Sequence, residues 1–252
     1  SEKQKVKSHL NTSLEPPKLT NSELSKRKNL DRAPRPRLAS TIVLTHGPKN
    51  KLKILMGKRS IKHDFMPSVY VFPGGRVDKS DSYAKYTGEL SIRTKTILET
   101  AYNPRKARAL VLASLRETYE ETSLMIGRKG NYKTTSTSTW SEFHKAGLTP
   151  SLNGIEVFGR AITPPHRHKR FDAWFFIKNI ETQRPPDISD TAELEDVAWF
   201  TFEQIWELNL QRATKMMLNA LVEYLNFQSL PSNIFFSRAE RGKFITDTYP
   251  KA

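Results

Sequence analysis

Cysteine is absent from the 252 residues, which excludes disulfide bonds and every thiolate-based metal or redox centre. Also missing is any apolar run near 18 residues, the length that a membrane-crossing helix needs. The charged, apolar, small order of a secretory signal is not found either. Acidic residues are scarce: 26 Asp and Glu stand against 41 Lys and Arg, for a formal charge of +15. Such an excess suits nucleic acid, an acidic membrane surface or a polyanionic small molecule, and does not choose among them. A reducing cytoplasm fits the lack of cysteine. The closing Pro250-Lys251-Ala252 is unlike a Ser-Lys-Leu-type address, so the expected location is cytoplasmic.

What is present divides the chain unevenly. Residues 1–38 hold 10 Lys or Arg and 4 Asp or Glu among Ser, Asn and Pro, and supply +6 of the total charge. They bury too little apolar surface to offset the entropy of ordering, so they read as a flexible basic tail. One domain is expected over 39–252. Ser40–Thr45 and Lys51–Met56 read as a hairpin around Gly47-Pro48-Lys49-Asn50. Val69–Phe72 reads as a strand running into Pro73-Gly74-Gly75, where a glycine pair permits a tight reversal and close approach of bare backbone. Residues 76–104 are polar with no clear period. Pro104 opens a helix to about Ser123, Thr134–Ser138 is a linker, and a short helix covers Thr139–Lys145 with Gly147 after it. Further strands are expected at Ile155–Phe158 with Arg160–Ile162, at Phe171–Ile177 and at Val197–Phe200. Thr201 caps a short helix, a longer one covers Ala213–Leu225, and the pattern beyond Phe227 is irregular. Strands on both sides of the central helix predict an α/β (α+β) chain, an α/β/α sandwich around a mixed sheet.

The chemistry concentrates at Arg116-Glu117-Thr118-Tyr119-Glu120-Glu121. Helical residues three and four apart share a face, so Glu117 stands beside Glu120 and Glu121, and Arg116 reaches Glu120. Converging carboxylates suit hard divalent cations such as Mg²⁺ or Mn²⁺. Alone, the same residues also describe a solvated acidic face with one ion pair.

Their company decides between the two. Gly74-Gly75 followed by Arg116-Glu117-x-x-Glu120-Glu121-x-x-Leu124 resembles the Nudix hydrolase signature, G-x5-E-x7-R-E-U-x-E-E-x-G-U. Ser123 replaces the glycine that ends the helix. The Arg stands at 116 rather than 89, so 27 residues are inserted within the signature, and Arg108 occupies the place eight before it where an early glutamate is expected. A split box of this kind is similar to the subgroup that includes peroxisomal coenzyme A diphosphatase and its bacterial relatives. Met56-Gly57-Lys58-Arg59, Phe65-Met66-Pro67, Arg160–Pro165 and Arg170-Phe171-Asp172 carry the same likeness. A coenzyme A signature is matched in part: Arg59-Ser60 is in place, but Asp64 and Ser68 stand where Arg and Gly are expected.

The resemblance implies a hydrolase that uses Mg²⁺ or Mn²⁺ to cleave a pyrophosphate bond in a nucleoside-diphosphate derivative. Coenzyme A, an acyl form, NADH and ADP-ribose are the compounds it suggests. Glu120 and Glu121 are then metal ligands with the Gly74 carbonyl, Glu117 is a further ligand or the base, and Arg116 orients them. Glu193, with Glu195 as competitor, is the loop glutamate that assists catalysis. Arg59, Arg76, Arg167 and Arg170 are candidates for gripping phosphates, beside the Gly75 backbone. His166 and His168 lack the company a metal pair needs. A nucleotide-type small molecule is the expected partner, and a homodimer is compatible with the reading. The alternative is a non-catalytic nucleotide- or RNA-binding module that uses the basic tail.

Overall fold

The structure, a computed structural model, describes residues 34–62, 67–130, 139–167, 169–240 and 243–251. Its centre is strand β1 (Arg37–His46), whose burial is nearly continuous from Ala39. β1 runs antiparallel to β2 (Lys53–Arg59), as the hairpin reading requires, and the short β3 (Tyr70–Val71) follows on the far side of β2. β4 (Gly74–Arg76) turns back to pair with the first half of β1, Gly74 opposite Thr41 and Gly75 opposite Ser40.

Two helices follow, α1 (Ile92–Glu99) and α2 (Pro104–Thr122). α2 starts with the Asn103 side chain accepting from the Lys106 amide at 3.0 Å, the N-cap bond that satisfies a free helical donor. It ends at Ser123, which adopts φ 62° and donates its N–H to the Tyr119 carbonyl. That left-handed position normally favours glycine, and here a serine holds it. A small side sheet joins β5 (Gly127–Lys129) to β6 (Leu148–Pro150), with α3 (Trp140–Lys145) between them.

Strands β7 (Glu156–Ile162), β8 (Phe171–Ile180) and β9 (Leu194–Thr201) then rejoin the main sheet. β8 lies parallel to β1 along all ten residues of both strands, and β9 pairs with β2. Helices α4 (Phe202–Glu207) and α5 (Arg212–Asn226) precede the closing strands β10 (Ile234–Glu240) and β11 (Lys243–Tyr249). The main path is β11-β10-β7-β8-β1-β2-β3, with parallel steps at β1/β8 and β7/β10.

Period-two alternation distributes this sheet's side chains between two cores. Ile42, Leu44, Trp174 and Phe176 face α1 and α2 and pack with Leu98, Leu110 and Leu115. Val43, Ile54, Met56 and Ile177 face the other way, onto Ile205 of α4 and Leu218 and Leu221 of α5. The expected α/β/α sandwich on a mixed sheet is therefore the observed architecture.

Several expectations require correction. The first strand begins at Arg37 rather than after residue 38. The 76–104 stretch is structured: it holds a 3-10 turn at Lys79–Ser82 and α1. α1 escapes detection because only Thr94, Ile97 and Leu98 are buried, while Ile92 is 86% exposed. The segment beyond Phe227 forms the β10–β11 hairpin, which tertiary contacts hold more than local pattern. There Arg160 lies 4.7 to 5.1 Å from the rings of Trp174, Phe236 and Tyr249. Its guanidinium is paired in fork fashion with Asp172 at 2.8 and 2.7 Å, and Tyr102 donates to the same carboxylate. The 134–138 linker and residues 1–33 of the basic tail lie outside the described residues.

Arg160→Ala strips Asp172 of its half-buried cation and hollows the aromatic stack, so it should cost about 3–5 kcal/mol of stability. Urea unfolding measures this. A loss below about 1 kcal/mol would mean that the hairpin is held by something else.

Candidate active site

The last turns of α2 sit directly over β4. The backbone N–H of Gly74 donates to Glu121 Oε2 at 2.9 Å. A side chain at either glycine would close this contact. A Cβ at Gly74 would press on the Ser40 carbonyl and Thr41 of β1, and one at Gly75 would strike the Glu117 carboxyl group. The glycine pair therefore lets β4 lie flat between β1 and the carboxylates.

Arg116 organises the glutamates. It is 7% exposed, and Nη1 reaches Glu117 Oε1 and Glu120 Oε2, each at 2.8 Å. Nε and Nη2 fork onto Asp81 at 2.8 and 3.1 Å, and Nη2 also donates to the Arg76 carbonyl at 2.8 Å. Asp81 is fully buried and receives the Asp78 amide as well, at 2.7 Å. Burial acts to lower the guanidinium's pKa. The Asp81 hydrogen bond and the charges of Glu117, Asp81 and Glu120 outweigh it and hold Arg116 firmly protonated. Burial pushes Asp81 itself upward against the pull of that same cation.

Asp81 corrects the reading of the early acid. Counted back from Arg116, position 108 is Arg108, whose guanidinium lies over the Tyr86 ring. Counted forward from Gly75, the signature's x5 spacing lands on Asp81. The insertion thus falls after the early acid, and a forward count would have found it.

A second loop closes the site. β9 pairs with β2 so that Leu194 lies opposite Arg59 and Glu195 opposite Lys58, and the Ser60 amide donates to the Glu193 carbonyl at 3.0 Å. Arg59 is pulled down by burial, opposed by the nearby charges of Glu121 and Glu193. The charge of Glu193 also acts on Glu117 and Glu121. Glu195 acts instead on Lys58. Of the two competing glutamates, Glu193 faces the carboxylates.

Burial bears on the carboxylates as well. Burial lifts Glu117 to about 7, against the attraction of Arg116. Burial also lifts Glu121 to about 8, opposed by the Gly74 N–H, with the charges of Glu117 and Glu193 adding to the rise. Glu120 divides its oxygens between Arg116 and the Thr139 hydroxyl. As donors, three carboxylates on one helix face suit a hard cation, which would offset the cost of ionising the two that are buried. Their present arrangement turns toward Arg116 and Gly74. Among the described residues no group of three or more His, Asp or Glu is placed to hold a metal ion.

Other expected residues lie apart from this cluster. The Arg76 side chain is exposed, and its carbonyl is what joins the site. Arg170 donates to the Thr163 and Pro34 carbonyls. Arg167 is exposed on a turn, and His168 lies outside the described residues. A cavity of about 390 Å³ opens at the other end of α2, between Val77, Asp78, Lys79 and Ser82 and the helix start at Arg105 and Lys106, and none of the clustered glutamates lines it.

No protein-family model matches the chain. A Caenorhabditis elegans relative whose name places it among the nudix hydrolases is 26% identical over 174 residues. The match takes in 65% of this chain and 50% of the relative, so the chain spans half the length of the curated relative that it matches. The crystal structure of a Nudix hydrolase from Alicyclobacillus acidocaldarius superposes with a TM-score of 0.57 at 24% identity, covering 78% of this chain and 98% of that one. The structural likeness shows the fold, and the sequence likeness supports the Nudix hydrolase superfamily.

Replacing Asp81 with Ala removes the buried counter-ion of Arg116 and the receptor for the Asp78 amide. A stability loss of about 3–5 kcal/mol is expected in denaturant titration. A loss within about 1 kcal/mol would show that Glu117 and Glu120 suffice to hold the guanidinium.

Proposed function

We propose that the chain is a Mg²⁺- or Mn²⁺-dependent Nudix pyrophosphohydrolase acting on a nucleoside-diphosphate derivative. The observation that carries this reading is the gathering of Glu117, Glu121, Glu193 and Arg59 over the bare Gly74-Gly75 backbone, with Arg116 locked behind them. Coenzyme A or an acyl form, NADH and ADP-ribose are the compounds to try first. The split box and the partial coenzyme A signature at Arg59-Ser60 favour the first of these.

Glu120 and Glu121 would hold a divalent cation with the Gly74 carbonyl, and Glu117 is a further ligand or a base. A cation there would neutralise pyrophosphate charge and make a bound water acidic enough to attack at neutral pH. Glu193, on a loop separate from the helix, would assist by accepting a proton from the attacking water. Arg59, half-buried at the end of β2, would offer a fork of donors to an anionic phosphate. Arg116 orients Glu117 and Glu120 and stays out of the proton transfers, because its own charge is fixed. The insertion within the signature is the expected seat of substrate choice.

Glu117 and Glu121 keep protons in the folded chain that the unfolded chain releases near pH 4.5. Without a cation, stability should therefore fall as pH rises from about 4.5 to about 8. Cation binding needs the ionised forms. The melting-temperature gain from millimolar Mg²⁺ or Mn²⁺ should thus be larger at pH 8 than at pH 5. An equal gain at both values, or none, would count against these ligands.

A hydrolysis panel of the four compounds with each cation tests the activity itself. The expected outcome is cation-dependent release of two phosphate-bearing products, reduced by about a hundredfold or more in Glu193→Gln. Hydrolysis unaffected by excess chelator would sink the reading. Gly75→Ala should leave folding stability within about 1 kcal/mol, because the Glu117 carboxyl can swing aside. The same change should depress turnover, which separates the role of this glycine from a purely structural one.

A further inference from the structure

Beyond the glutamates themselves, the loop between β8 and β9 is tied to the end of α2 by a set of bonds, three of which meet at one hydroxyl. Thr191 Oγ1 donates to the Glu121 carbonyl at 3.2 Å. The same oxygen accepts from the Glu193 and Leu194 amides, each at 3.3 Å. The Thr191 amide in turn donates to the Leu194 carbonyl at 2.8 Å. One residue before the left-handed Ser123, the Thr122 carbonyl accepts from the Ser189 amide at 3.0 Å, and the Ser189 and Ser123 hydroxyls meet at 2.7 Å. The Asp190 carboxylate receives the amides of Asp196 and Val197 at 3.1 and 2.9 Å. Asp196 sits at φ 50°, where the β2–β9 register shifts.

The carbonyls of the last helical turn have no partner within their own helix. At Glu121 and Thr122 the loop supplies those partners. Thr191 is the only residue among these contacts that binds the backbone of Glu121 and the backbone of Glu193 through a single atom. Glu193 is then fixed on both sides, its amide on Thr191 and its carbonyl under the Ser60 amide, next to Arg59. The glutamate's own side chain is exposed, so side-chain packing does not place it. Its main chain does.

We propose that Thr191 is a positioning residue: its hydroxyl sets Glu193 against Glu121 and fixes the distance between the loop glutamate and the helix carboxylates. This inference rests on the pyrophosphohydrolase reading for its catalytic consequence, though not for its structural content. A shift of about 1 Å in a reacting group lowers turnover by up to about a hundredfold. Thr191→Val keeps the shape and removes the hydroxyl, whereas Thr191→Ser keeps the hydroxyl.

The test compares Thr191→Val, Thr191→Ser, Glu193→Gln and the Thr191→Val/Glu193→Gln pair on the substrate that the hydrolysis panel identifies. Thr191→Val should lower kcat by about tenfold to a hundredfold with KM nearly unchanged. Thr191→Ser should recover most of the loss. The double variant should be no slower than Glu193→Gln alone, because the hydroxyl acts through that glutamate. A double variant slowed by the full factor of both changes, or a Thr191→Ser as slow as Thr191→Val, overturns the proposal. Should Thr191→Val fail to unfold cooperatively, Thr191→Ala carries the same comparison without a second methyl to place.

Amide hydrogen exchange provides the arm that needs no substrate. Exchange at Glu193 and Leu194 should quicken by about tenfold or more in Thr191→Val and stay near the wild-type rate in Thr191→Ser. Unchanged exchange in Thr191→Val overturns the proposal whatever the chain hydrolyses. Quickened exchange in Thr191→Val, beside a wild-type chain that hydrolyses none of the panel, would instead fault the hydrolase reading and leave the positioning role standing.

Discussion

A buried guanidinium sets the terms for the rest of this molecule. Arg116 is enclosed at the junction of α2, β4 and the turn at Lys79–Ser82, and its bonds run to Asp81, Glu117, Glu120 and the Arg76 carbonyl. A charge that far from water is tolerable only if its partners are fixed in return. The need to satisfy it accounts for three features that would otherwise look unrelated. The turn after β4 is pinned by Asp81, the helix above carries its acids in one cluster, and β4 lies close enough to lend a carbonyl.

That arrangement leaves the carboxylates in tension. Glu117 and Glu121 are buried near one another and near Glu193; burial is the chief cause of their raised pKa values, and the neighbouring carboxylates add to it. The glycine pair sharpens the effect, because the absence of side chains brings helix and strand into contact. Burial of these carboxylates costs stability wherever they ionise, a cost that a functional site would explain.

Local pattern made part of this legible in the sequence. The β1–β2 hairpin, α2 and the placing of Glu117, Glu120 and Glu121 on one helix face follow from periods of two and 3.6, which neighbouring residues carry alone. Elements held by distant partners were not readable. α1 buries little of itself, and the β10–β11 hairpin depends on Arg160 lying among Trp174, Phe236 and Tyr249. Asp81 is an intermediate case: its spacing from Gly75 was in plain view, but the insertion hid it from a count begun at Arg116. Thr191 could not be found at all, since its role consists of bonds to backbone atoms of residues 121, 193 and 194.

The central claim is that Arg116 and the glycine pair hold Glu117, Glu120 and Glu121 as a site for a divalent cation. Anomalous diffraction from a crystal soaked in Mn²⁺ tests it most directly. A manganese peak is expected at coordination distance from Glu121 and at least one of Glu117 and Glu120. A peak only elsewhere, or none at saturating Mn²⁺, would contradict it.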